Sequence, residues 1–85
     1  NRPNPFNPRT EFHFEIMTPS HAELVIHDAR GARVVTLVDA DLPAGEHNVT
    51  WAGRDARGAA MPSGVYFARL RTAAGTRTIK VTLAR

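Results

Sequence analysis

The 85-residue sequence contains no cysteine, so neither a disulfide nor a thiolate metal site can hold it together. The stabilisation that small exported domains often draw from disulfides must come from packing instead. No apolar run approaches the ~20 residues that span a bilayer, which excludes membrane insertion through a helix. No basic-then-apolar opening reads as a signal peptide, so for an exported protein the signal is expected upstream of Asn1. Lysine is nearly absent too: Lys80 is the one lysine against ten arginines, and the formal net charge is +3. The arginines are spread along the chain and fall mostly at turns, with no interleaved exposed aromatics, which argues against nucleic acid. Helical periodicity is missing throughout.

What is present is a period of two. After a proline-rich start, "NRPNPFNPRT", in which each proline forbids helix and pushes its predecessor to extended geometry, Phe12, Phe14 and Ile16 alternate with Glu11, His13 and Glu15. "TPSH" turns the chain into "AELVIHD", with Leu24 and Ile26 on one face, and "DARG" at 28–31 has the Asp-first, Gly-last signature of a type I turn. A third strand is expected at about Arg33 to Val38, ending in a loop "DADLPAG". The fourth, "EHNVTW", puts Val49 and Trp51 on one face. "VYFARLRT" and "TRTIKVTLAR" form a last hairpin with Ile79, Val81 and Leu83 facing inward. Six clear strands, and a seventh short one near Ala59 to Met61, predict an Ig-like antiparallel β-sandwich over residues 10–85 behind a 1–9 linker.

The charged stretch "WAGRDARGAAMPSGVYFARL" fits a sandwich corner. In Ig-like domains a buried tyrosine opens strand F and ties the preceding corner through its hydroxyl. Tyr66 takes that place, Ala68 the inward position two residues on, and Leu70 follows. Gly64 permits the tight approach and Pro62 stiffens it. Asp55 and Gly58 fit a turn, leaving Arg54 and Arg57 to solvent.

Chemistry-bearing patterns are sparse. His13, His21, His27 and His47 fall on different strands and a turn with no carboxylate spaced to support them, so they read as scattered surface histidines and no metal is expected. Asp39, Asp41 and Asp55 lack calcium-loop spacing. Ser20 and Ser63 sit in proline turns without a nucleophile elbow. "NVT" at 48–50 matches a glycosylation sequon at mid-strand, where chance explains it. Trp51 could stack on a sugar, but its parity with Val49 places it in the core. The chain reads as non-catalytic, with no cofactor.

The blocks "NPFNP" at 4–8, "HDARGARVVTLVD" at 27–39, "LPAGEHNVTWAGRDARG" at 42–58, "SGVYFARL" at 63–70 and the final "IKVTLAR" resemble, in order, the bacterial C-terminal Ig-like module related to the flagellar hook-capping protein's Ig-like domain. The pattern is also similar to the type A C-terminal sorting domain of type IX secretion. The resemblance implies an export, sorting or anchoring module of a larger secreted or cell-surface protein. Its partners would be the secretion or surface-attachment machinery, the upstream passenger domain and copies of itself. Gly64 and Tyr66 match the glycine–apolar–tyrosine block, and Lys80 and Arg85 the terminal basic–apolar strand; these four carry the expected recognition. Phe6, Trp51 and Tyr66 carry the expected structural roles. Two rival readings stand beside it: a subunit of a fibre or cap assembling by strand pairing, and a glycan-binding adhesive module.

Overall fold

The computed structural model describes residues 8–85. Six strands follow one another: β1 (Thr10–Ile16), β2 (Ser20–Asp28), β3 (Arg33–Leu42), β4 (Gly45–Trp51), β5 (Gly64–Thr72) and β6 (Gly75–Leu83). They form two antiparallel sheets, a two-stranded one of β1 and β4 and a four-stranded one in the order β3-β2-β5-β6. The chain is an all-β, Ig-like sandwich. The expectation centred on Phe6 lies outside the described residues.

The alternating pattern decides which side of each strand faces in. Phe12 and Ile16 of β1 are buried while Glu11, His13 and Glu15 are exposed, and across β4 His47, Val49 and Trp51 face the same interior. Leu24, Ile26, Tyr66, Ala68, Val81 and Leu83 meet them from the large sheet, and Trp51 at the centre is 1% exposed. Two bulges set the shape of β3. Its register against β2 slips between Leu24 and Val25 and again between Ile26 and His27. The slips place Leu37 and Val34 as extra residues on β3, and both pack with the core. This is how Val34, Val35, Leu37 and Val38 all contribute to one interior although they fall in adjacent pairs and not in alternation.

Three expectations are corrected. The third strand does not stop at Val38: Asp39 to Leu42 continue it, pairing with Ser20 to Glu23, and leave only Pro43 and Ala44 as a connection to β4. The seventh strand near Ala59 to Met61 is an isolated bridge between Arg54 and Ala60. Ile79 does not face a packed interior but is 47% exposed. It points to the inner side of β6, an edge strand, but lies further along that strand than Val81 and Leu83, which the core and the Gly53 loop cover.

Candidate functional site

The most heavily constrained region is the long segment from Trp51 to Gly64 at one end of the sandwich. Trp51 and Tyr66 meet edge to face at 5.1 Å between ring centroids, a geometry that suits the positive edge and negative face of aromatic rings. Each ring also carries one polar handle, and each handle holds the loop. The indole N–H donates to the Arg54 carbonyl at 2.9 Å, and the Tyr66 hydroxyl donates to the Pro62 carbonyl at 2.6 Å. Burial raises the phenol's pKa, with the charge of Asp28 adding to it and that of Arg85 opposing it.

Arg85 closes the same loop from the other end of the chain. Its guanidinium donates to the Gly53 carbonyl at 2.6 Å and to the Met61 carbonyl, and its backbone N–H donates to Ser63 Oγ at 3.0 Å. Gly53 is required here on two counts. Its φ is +73°, and a Cβ would come within 3.0 Å of the Arg85 guanidinium and 3.2 Å of a Leu83 methyl.

Within the loop, "DARGA" at 55–59 repeats the pentapeptide at 28–32, and the two fold alike. In each, the aspartate Oδ1 accepts the N–H groups two and four residues on, all at 2.9 Å. In each, the glycine takes positive φ, +89° at Gly31 and +87° at Gly58. The five-residue unit is a self-contained turn, because the carboxylate satisfies backbone donors that would otherwise need water. Those donated bonds, led by the one from Ala32, hold the Asp28 carboxyl below its ordinary pKa. Arg54 and Arg57 are both exposed, and the Arg54 guanidinium also donates to the Gly58 carbonyl at 2.8 Å.

The four residues expected to carry recognition are not brought together. Gly64 opens β5 opposite Leu83, Tyr66 is buried, Arg85 clamps the loop, and Lys80 stands on the outer face of the large sheet opposite Phe67. Trp51 is enclosed in the core, out of reach of a stacking sugar.

The histidines are not all unsupported, as the sequence reading had them. Extending β3 to Leu42 sets Asp41 opposite His21 and Asp39 one row away. The His21 ring is then bracketed, Nδ1 at 2.8 Å from Asp41 and Nε2 at 2.6 Å from Asp39. Both ring nitrogens donate only in the imidazolium, so these bonds, Asp41 first and Asp39 next, raise the His21 pKa above its usual value. Because the carboxylates bind opposite ends of one ring, they do not converge on a common point. Among the described residues no group of three or more His, Asp or Glu is placed to hold a metal ion. Elsewhere His47 stacks on Phe14 at 5.7 Å and bonds the Pro43 carbonyl, and His13 bonds Asn48.

Architecture and corner together define an Ig-like β-sandwich module whose corner polar groups fix its own loop. The sequence matches the FlgD Ig-like domain family over residues 3–84, and the chain belongs to that family. Among solved structures it is similar to FlgD from P. aeruginosa, with 23% identity and a TM-score of 0.69, covering 89% of this chain and 61% of that one. At that identity the likeness is one of fold, and the chain spans about three fifths of that structure. No curated protein sequence matches the chain.

Proposed function

We propose that this domain is a non-catalytic structural module of a larger exported bacterial protein, acting at the cell surface or outside the cell as a building unit of a hook-cap-like assembly. The single observation that carries the reading is membership of the FlgD Ig-like family across nearly the whole chain. The geometry supports it: the corner side chains bond the loop carbonyls, so the module is built to be rigid. Its partners are the rest of the carrier protein and other subunits of the assembly.

A second reading, export and sorting by a secretion apparatus of type IX kind, draws on β6. That strand is an edge of the large sheet with exposed Lys80, and an edge offers backbone groups for strand addition. Deleting residues 10–85 from the carrier separates the two. On the structural reading the truncated carrier is still exported but does not enter its assembly. Loss of export, with the carrier retained in the cell, overturns the structural reading and supports sorting.

A further inference from the structure

One end of the large sheet's outer face is basic, whereas the outer face of the small sheet is acidic. On the large sheet, Arg33, His27, Phe67 and Lys80 form one row across all four strands, and Arg69 stands in the next row. A hollow of about 380 Å³ runs along this face between the 28–31 turn, Phe67 and Arg69. The acids on the same face are already spent. Glu23 pairs with Arg71 at 2.7 Å, Asp39 and Asp41 bracket His21, and the Asp28 carboxylate is held in its own turn. Arg33, Arg69 and Lys80 have no acidic partner among the described residues.

The outer face of the small sheet is the converse. Glu15 and Glu46 stand directly opposite each other across β1 and β4, and Glu11 lies further along the same side. All three are exposed, and among the described residues no Lys or Arg pairs with them; the His13 ring lies 3.7 Å from Glu11. Two like charges set directly opposite in a sheet destabilise it, and a cation brought from outside relieves that repulsion.

The spacings agree as well as the signs. Glu11 and Glu15 are four residues apart along one strand, or roughly 13 Å, and Arg33 and Lys80 are three strand gaps apart, or roughly 14 Å. The two rows coincide when the strands of the facing sheets cross near a right angle, one of the standard ways sheets pack.

We propose that the module docks on a second copy of itself, the Arg33, Arg69 and Lys80 face of one copy against the Glu11, Glu15 and Glu46 face of the next, with Phe67 at the centre of the contact. This deepens the structural reading above and rests on it. The two patches are different surfaces, so the contact is heterologous and propagates from copy to copy instead of closing as a two-fold dimer. A standard contact of about 800 Å² a side takes roughly a seventh of the domain's 5845 Å² surface. The attraction is largely between exposed charges, so it is screened by salt.

The test is sedimentation of the purified 85-residue domain at low and high ionic strength, with two charge-reversed variants. Arg69→Glu with Lys80→Glu makes both faces acidic; Glu15→Lys with Glu46→Lys makes both basic. The wild type is expected to self-associate at low salt, with a dissociation constant at least about tenfold weaker in ~0.5 M salt. Each variant alone is expected to be monomeric, and an equimolar mixture to associate again. Should a reversed variant fail to fold by circular dichroism, Arg69→Gln with Lys80→Gln replaces it and is expected to weaken self-association. A wild type that stays monomeric at ~1 mM in low salt, a mixture that does not associate, or variants that associate as the wild type does each overturn the proposal. So does a monomeric wild type retained by an anionic polysaccharide through Arg69 and Lys80, which assigns the basic face to glycan. These outcomes are read on the isolated domain, whereas the structural reading fails on loss of export, so the two failures are distinguishable.

Discussion

Replacing Tyr66 by Phe isolates the corner hydrogen bond. The ring is 4% exposed and keeps its contact with Trp51, because phenylalanine presents the same ring to the indole. Only the hydroxyl is removed, and with it the 2.6 Å bond to the Pro62 carbonyl. Pro62 itself is exposed, so water can take over that carbonyl and no buried acceptor is stranded. The loss is therefore the net value of one hydrogen bond, about 1 kcal/mol, without the larger penalty of an orphaned group. For a domain of this size that lowers Tm by roughly 4–8 °C. Urea unfolding measures it, with a lowered midpoint at unchanged slope. Amide exchange adds a local readout, since the tie pins the loop and residues 53–61 should lose protection first. Tyr66→Leu is the control: it removes the ring as well and is expected to cost about 2–4 kcal/mol more. A Tyr66→Phe variant within ~0.3 kcal/mol of wild type, with loop exchange unchanged, refutes the assignment of the corner to this hydroxyl.

Gly53→Ala should cost about 2–3 kcal/mol, from a side chain at positive φ and from crowding against Leu83 and Arg85; equilibrium unfolding within ~0.5 kcal/mol of wild type would contradict that geometry. Arg85→Met keeps most of the stem and loses the donors to Gly53 and Met61, so about 1–2 kcal/mol is expected in the same assay, with the 53–61 amides deprotected. For His21 the folded pKa lies above the unfolded one, so its stabilising effect is complete below the unfolded value, near pH 6.5, and fades as pH rises through the folded pKa. The Tm difference between wild type and His21→Gln should therefore be largest under mildly acidic conditions and close toward alkaline pH; a difference that grows with pH would invert the sign and sink the argument.

Much of this fold is readable from parity alone. Phe12 and Ile16, Val49 and Trp51, and Ala68 two residues beyond Tyr66 all lie on the side their alternation dictates, because a strand shows one face to the core every second residue. The corner tyrosine was legible from its place at the opening of a strand behind a proline- and glycine-bearing turn, where an Ig-like sandwich sets one. The end of β3 was not: Asp39, Ala40 and Asp41 are poor strand formers, and only pairing with Ser20 to Glu23 draws them into the sheet. Missing that pairing also hid the bracketed His21, whose partners are 18 and 20 residues away. The exposure of Ile79 depends on how far along β6 the opposite sheet and the corner loop reach, which no local pattern encodes. The Arg85 clamp reaches 32 residues back to Gly53, and nothing in the terminal strand marks it. A signal for the twin turns was available, since the pentapeptide at 28–32 recurs letter for letter at 55–59.

The split between the sheets also fixes an order of assembly. Two hairpins, β2 with β3 and β5 with β6, are local, and the first is closed by a turn that holds itself through its own aspartate. These can form as soon as their residues are available. The strand β1 cannot, because its partner begins at Gly45, beyond two intervening strands. During synthesis Phe12, Phe14 and Ile16 therefore emerge first and pair late, with a bare edge and an apolar side on view until β4 arrives. That interval is when the chain is most open to aggregation or to capture by a holding chaperone. Glu11 and Glu15, alternating with those apolar side chains, place charge along the strand while it waits, the kind of residue that opposes edge-to-edge pairing.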